Sequence, residues 1–360
     1  MKNLATTNQF NGGYSRALGE SGTSQVMKQK NKLPKRVSGN GMKIIDKQTL
    51  LDLSKKKLVT QSVVPKLVDM ARAKGAFERM KSYWNAYHCL NTVYKAAGSL
   101  YIDEDKYCKN RICAVCCGIR KAELINKYLP ELLSWWDTHF LTLTVKAVPA
   151  DQLKKLIDEM VKAFSGIIAK YRKRHQRGRG IKLMGIKSIE SNFNPKAQTY
   201  NPHLHILIPS KQMADILKKE WLLYWGILTD PQAQRYRPVK DTEKSLSEVI
   251  KYSTKIFTRF DPNDKKKPIA ENTILIYAAA IDNIVAALKP HRVFDRFGFN
   301  LPPTKKAKGN YTKLSVYQEL HFDIKKTDWI NVDTAEPLSG YTPPQELTSL
   351  LGYNIDTYLQ

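Results

Sequence analysis

No stretch of this 360-residue sequence reaches the ~18 consecutive apolar residues of a membrane-spanning helix. Residues Met1–Gly41 also lack the apolar core of a secretory signal, so the expected location is the cytoplasm, with no membrane partner. Cysteine is absent outside Cys89–Cys117, which excludes a disulfide framework spanning the chain. In a reducing compartment, clustered cysteines more often hold metal. Acids are scarce: Lys+Arg 59 against Asp+Glu 33 gives a formal charge of +26, with a pI near 9.7. A surplus of this size points to a polyanionic partner and says nothing about fold. With 42% hydrophobic residues, the chain can bury one large core or two ordinary ones.

Four regions follow from composition and periodicity. Residues 1–45 are rich in Gly, Ser, Asn, Thr, Gln and Lys and read as a disordered tail. Residues 46–138 read as helical and cysteine-rich, a DNA-binding region, with Pro65 in the first turn of its second helix. Here Cys108, Cys113 and Cys116 form a C-x4-C-x2-C run that Cys89 can complete to four thiolates, the donor set of a structural zinc. Cys117 is the spare. Buried thiols without metal are the competing reading.

Residues 139–300 alternate strand and helix patterns. His139–Val145 reads as a strand, Asp151–Arg174 as an amphipathic helix, and Ile181–Ile189 as a strand closed by Glu190, with a turn over Ser191–Pro195. Seven Lys or Arg and no acid fall between Lys170 and Lys182. The strand Asn201–Pro209 carries His203 and His205, whose spacing of two puts both imidazoles on one face. An antiparallel hairpin would bring up Glu190, the only acid between Glu159 and Asp215, as a third metal ligand. On the helix expected over Lys244–Phe257, Glu248, Tyr252 and Lys255 project from the face opposite Leu246, Val249 and Ile250. Ser245 and Glu248 also match a capping box, which would explain the glutamate without chemistry. Residues 301–360 show little periodicity and receive no function.

A divalent metal, a helical tyrosine and a strongly basic surface fit phosphodiester cleavage through a covalent phosphotyrosine. The order Phe140–Thr144, Asn201-Pro-His-Leu-His-Ile206, then Glu248-x3-Tyr252-x2-Lys255 resembles the HUH endonucleases. In particular it resembles replication initiators of small rolling-circle plasmids that pair one tyrosine with a glutamate four residues earlier. The cysteine run resembles the N-terminal cysteine region of that family.

The resemblance implies an α+β fold of the ferredoxin/RRM-like kind: a central antiparallel sheet with flanking helices, preceded by the helical cysteine-rich region. It implies His203 and His205 as ligands of Mg2+ or Mn2+, Tyr252 as nucleophile, and Glu248 as the group that activates water at termination. Lys255 would stabilise phenolate or phosphate charge. Implied partners are plasmid origin DNA, duplex and single-stranded, with host helicase and polymerase. Competing readings are a relaxase or transposase of the same chemistry, a non-catalytic zinc protein that binds duplex DNA, and a small-phosphoester metallohydrolase. In the last of these the charge of +26 would have no purpose.

Overall fold

Helical and alternating patterns in the sequence become seven α-helices and ten strands among the described residues of the computed structural model, which are 41–254, 278–302, 314 and 316–340. In chain order they are β1 (Met42–Ile45), α1 (Lys47–Ala73), α2 (Phe77–Tyr87), β2 (Thr92–Ala96), β3 (Ser99–Asp103), α3 (Ala114–Leu132), β4 (His139–Thr144) and α4 (Ala150–Gln176). There follow β5 (Gly185–Asn194), β6 (Thr199–Ile208), α5 (Lys211–Trp225), β7 (Arg235–Pro238), α6 (Thr242–Thr254), α7 (Ala278–Leu288), β8 (Phe294–Phe297), β9 (Gln318–Asp323) and β10 (Asp328–Asn331). All lie within one compact unit, Val37–Gln360. None of the described helices is long and apolar enough to cross a membrane. The tail before residue 41, Lys255 and the basic run Lys305–Lys308 lie outside the described residues.

The fold is α+β, with two five-stranded antiparallel sheets where one was expected. The second sheet, β7-β4-β6-β5-β8, places the histidine strand in the middle. On one face Leu141, Leu143, Ile189, Leu204, Ile206 and Ile208 meet the apolar sides of α4 and α5. On the other, α3 and α6 cover Phe140, Ile186 and Leu207 with Tyr128, Leu132, Leu246, Val249 and Ile250. The period of two along each strand separates these two apolar sets.

The first sheet, β1-β3-β2-β9-β10, was not anticipated. The two strands at one side of it, β9 and the edge strand β10, come from the stretch after residue 301, where short, mixed segments give no legible period. Trp329 on β10 anchors that stretch: it is buried in the core built by α1 and α2, and its Nε1 donates to the Leu90 carbonyl at 3.2 Å.

Three local expectations are corrected. Pro65 lies inside one continuous helix, α1. Proline removes one i→i−4 bond, but Val63, Val64, Leu67 and Val68 are all buried around it, and packing holds the helix together. Strand β5 continues past Glu190 to Asn194, because Phe193 pairs with Tyr200 across the ladder and their rings sit 4.9 Å apart. The turn falls at 195–198, where Gln198 takes φ 52°. Helix α6 starts at Thr242, capped by Asp241, whose Oδ1 accepts from the Lys244 N–H at 2.9 Å.

One ionic node ties the parts together. Asp282 on α7 is fully buried and accepts from Lys74 Nζ (2.8 Å), Arg79 Nε (2.9 Å) and Tyr83 Oη (2.7 Å), while its neighbour Asn283 donates to Tyr200 Oη on β6. Burial pushes the Asp282 carboxyl up, but the hydrogen bonds from Lys74, Arg79 and Tyr83 together outweigh it and hold the pKa below the usual value. A depressed pKa means that stability is present above the unfolded carboxyl value of ~3.9 and is lost as pH falls through the folded one. Asp282→Asn leaves two cations facing a neutral group. It should cost about 3 kcal/mol at pH 7, a fall of roughly 6 °C in thermal midpoint. That gap should narrow below about pH 4 in scans of thermal unfolding against pH.

Candidate active site

The metal-capable face is built by pairing across three strands. Antiparallel register sets His203 opposite Glu190 on β5 and Thr144 on β4, and sets His205 opposite Ser188 and Thr142. Residues that face each other across a ladder share a face, so both imidazoles and the carboxylate point to the same side. Glu190 Oε2 lies 3.5 Å from His203 Nε2 and 3.7 Å from His205 Nε2, and the three ligand atoms all fall within 4.8 Å of one another. All three side chains are buried.

The imidazoles are oriented by their other nitrogens. His203 Nδ1 lies 3.0 Å from the Asn201 carbonyl oxygen. That oxygen only accepts, so Nδ1 carries the proton and Nε2 presents a lone pair to the carboxylate side. His205 Nδ1 contacts Thr142 Oγ1 at 3.3 Å. Burial, then the neighbouring His203, pulls His205 down to about 3, so its ring is neutral at physiological pH. Neutral imidazole is the form that ligates. Nearby, the buried Ser188 hydroxyl has no hydrogen-bond partner among the described residues. Two imidazoles and one carboxylate, pre-oriented and desolvated, fit a divalent cation that fills further positions with water or a phosphate oxygen.

Helix α6 packs across β5 and β6 beside this face. With Asp241 as its cap, Ser245 and Glu248 are interior helix positions, so a capping box does not account for the glutamate. Glu248 Oε2 meets Arg237 Nη2 at 3.3 Å. Arg237 also lies over the Phe140 ring at 5.2 Å, and its register opposite Phe140 puts it on the histidine face. Sequence reasoning missed Arg237: its only signal was the brief alternation Arg235-Tyr236-Arg237. Tyr252 sits one turn after Glu248 on α6; its side chain and Lys255 lie outside the described residues.

The second cluster gathers loop and helix. Cys89 follows α2, Cys108 lies in the loop before α3, Cys113 caps α3 and Cys116 is in its first turn. Their sulfurs lie within 4.8 Å of one another, with Cys89–Cys116 and Cys108–Cys116 both at 3.5 Å. Four thiolates at ~2.3 Å from zinc would form a tetrahedron with edges near 3.8 Å, while a disulfide needs about 2.05 Å. The spacing therefore fits a metal-thiolate centre. Backbone N–H groups of Cys108, Asn110 and Cys116 donate to Cys89, Cys108 and Cys113 sulfurs. Hydrogen bonds among the sulfurs drive Cys116 and Cys113 down and Cys89 and Cys108 up.

Below the cluster, Lys57 is buried and donates to the carbonyls of Tyr87 (3.1 Å) and Cys89 (2.8 Å). Burial lowers its pKa to about 8, while the charges of Cys89, Cys113 and Cys108 act upward. Cys117 stands apart, with its Sγ donating to the Arg111 carbonyl at 2.9 Å.

The geometry defines a class: an α+β protein whose central strand presents two histidines, met by a carboxylate from the neighbouring strand, beside a helix bearing an acid. The family model for replication proteins, Rep_1, matches residues 99–295. The "Protein rep" of Staphylococcus aureus is 34% identical over 167 residues, covering 41% of this chain and 69% of that protein. The "Protein rep" of Bacillus sp is 27% identical over 190 residues, covering 50% and 57%, and that of Streptococcus pneumoniae serotype 2 is 27% identical over 130 residues, covering 34% and 38%. No solved structure matches. The chain belongs to the Rep_1 family of replication proteins, the plasmid-initiator family to which the order of its motifs pointed.

Proposed function

We propose that this chain starts rolling-circle replication of a plasmid by nicking one strand of the origin and holding the 5′ end as a phosphotyrosine. The observation that carries this reading is the Glu190-His203-His205 face beside the helix with Glu248 and Tyr252 four residues apart. Glu190, His203 and His205 would hold Mg2+ or Mn2+, which when bound polarises the scissile phosphodiester and neutralises charge on its non-bridging oxygens. Tyr252 attacks phosphorus through its hydroxyl oxygen. The bond to the 3′ oxygen breaks, and that oxygen leaves as a free 3′-hydroxyl while the phenol proton passes to solvent. The ester conserves the energy of the broken bond, so the strand can be rejoined. At termination Glu248, fixed by its ion pair with Arg237, takes a proton from the water that hydrolyses the ester. Cys89, Cys108, Cys113 and Cys116 hold a structural zinc that fixes the start of α3.

The deciding experiment incubates the protein with supercoiled DNA carrying its own plasmid origin and Mn2+, followed by denaturing electrophoresis without protease. A nicked circle with protein attached is expected, and it should vanish in Tyr252→Phe while origin binding survives. In Glu248→Ala the adduct should form and persist. Tight origin binding with no nick under Mg2+ or Mn2+ would return the chain to the non-catalytic DNA-binding reading.

A further inference from the structure

A cleft lies beyond the outer edge of β8, away from the histidine strand. It encloses about 600 Å3 between the sheet edge, α3 and α4. Its lining includes Lys127, Arg172, Lys182, Arg292 and Arg296 against a single acid, Asp295. Asp295 is itself engaged, with Oδ1 accepting from the Arg296 N–H at 3.0 Å and lying 4.0 Å from Arg292. Lys127, Arg172, Lys182 and Arg296 form no ion pair with a carboxylate among the described residues; the Arg296 Nε donates to the Phe299 carbonyl. Five cations against one acid leave the concavity with a strong positive field among the described residues. The walls carry Phe297 and Phe299, and Gly298 closes the turn between them. Gly298 takes φ +76°, and a Cβ there would run into the Leu183 carbonyl oxygen, so the cleft floor requires glycine.

We propose that this cleft is a second DNA site, which holds the backbone of single-stranded DNA next to the cleavage face. The proposal rests on the reading of the chain as a DNA-nicking initiator. Ser188 on β5 pairs with His205 on one side and Phe294 of β8 on the other. At ~4.8 Å per strand, β8 is about 10 Å from the histidine strand. Phe297 of the cleft pairs with Gly185, three residues or about 10 Å along the strand from Ser188, and phosphates of one strand recur at ~3.4 Å or more, so a strand seated at His203 and His205 reaches the cleft within about five nucleotides. A concavity of this volume admits a few nucleotides of one strand. A duplex, whose major groove alone is ~12 Å wide, meets only the rim. Unpaired bases can lie against aromatic walls while the phosphates meet guanidinium and ammonium groups. The basic run at the end of α4, which supplies Arg172 and leads to Lys182, thereby gains a role beyond solubility.

The test is equilibrium binding of full-length protein to a labelled single-stranded oligonucleotide and to duplex origin DNA, in EDTA so that no cleavage occurs. The outcome is therefore independent of whether the chain nicks. The variant is the triple exchange Arg172→Ser, Lys182→Ser and Arg292→Ser at three exposed positions, with Arg172→Ser alone as a second variant. Each lost phosphate contact lowers the slope of log K against log salt by about 0.7 for single strands. The triple variant should lose about 2 in slope and bind the single strand about 100-fold more weakly at 0.1 M salt, if affinities converge at 1 M. Arg172→Ser should lose about 0.7 in slope.

Duplex binding should fall much less. A control that removes the same charge from the first sheet and its β9–β10 turn, Lys95→Ser with Lys325→Ser and Lys326→Ser, should change single-strand binding less than about threefold. Equal losses in the cleft and control variants would reduce the effect to net charge and overturn the proposal. So would an equal loss of duplex binding. Loss of binding to a free deoxynucleoside triphosphate with oligonucleotide binding intact would overturn it too, and make the cleft a nucleotide pocket.

Discussion

Cys113→Ser should strip the protein of one bound zinc and collapse the region from α1 to α3. The reason lies in what the sulfurs join at that region's centre. The loop that joins β3 to α3 carries Cys108 and the left-handed residue Lys109 (φ 54°), and it is tied to α2 through Asn110, whose side chain donates to Ser82. Arg111 also ties it to the Leu288 and His291 carbonyls, and the sulfurs add the ends of two helices: Cys89 from the end of α2, Cys113 and Cys116 from the start of α3. Zinc sites of this kind return folding free energies of about 10–16 kcal/mol in isolated fingers. In a larger core that packs Leu67, Val68 and Ile112 around the cluster, part of that is already supplied by apolar burial. A loss of about 5 kcal/mol, with a fall of roughly 10 °C in thermal midpoint, is the expected result.

Without the metal, Lys57 is left as a buried cation beside neutral thiols, which adds to the cost. Metal content by native mass spectrometry should fall from one zinc to none in Cys113→Ser, and stay at one in Cys117→Ser, whose sulfur faces the Arg111 carbonyl. Unchanged zinc content and midpoint in Cys113→Ser would leave these thiols as ordinary packing.

The gathering of Glu190, His203 and His205 on one face was legible because two strong local signals coincided. His203 and His205 at a spacing of two inside an apolar strand fix a shared face whatever the surrounding fold, and an isolated acid upstream has one hairpin by which to reach them. The sequence could not reveal the length of that hairpin. Phe193 and Tyr200 extend the ladder past the point where polar residues suggested a turn, because cross-strand aromatic contact outweighs turn propensity. The start of α6 was misplaced for a similar reason. Asp241 and Ser245 are both good caps, and only the packing of Leu246, Val249 and Ile250 on the sheet decides between them.

The first sheet was hidden by its construction. Two of its strands come from residues after 301 and three from before 104, so no window of sequence contains the pattern that pairing completes. Asp282 was hidden inside an alanine-rich helix: buried carboxylates become interpretable only when Lys74, Arg79 and Tyr83 are seen around them. Arg237 belongs to the same category, since its position opposite Phe140 is a property of register and not of local composition.

His203→Ala should abolish metal-dependent nicking and leave the fold and origin binding in place. The carboxylate of Glu190 sits between two imidazole Nε2 atoms at 3.5 and 3.7 Å, so all three donors share one point of space. Removing His203 takes away the ligand whose proton position is fixed by the Asn201 carbonyl, and leaves His205 and Glu190 as two donors. Disturbing even the groups that orient a ligand costs about 10–100-fold in metal affinity, and losing a ligand costs more. The resulting loss of about 4 kcal/mol in transition-state stabilisation is a fall in nicking rate of about a thousandfold.

Calorimetry with Mn2+ in the absence of DNA gives a readout separate from cleavage: binding should weaken by more than 100-fold in His203→Ala, and similarly in Glu190→Gln, which keeps the volume and removes the charge. The thermal midpoint should move by about 2–4 °C, since each exchange alters one buried side chain and leaves the apolar cover provided by α3 and α6 intact. Thr142 and Thr144, which flank the histidines from β4, should then affect metal binding only through the imidazoles they adjoin. Nicking within threefold of the parent protein, together with unchanged Mn2+ affinity, would mean that these three side chains are packed together for stability and that the cation binds elsewhere.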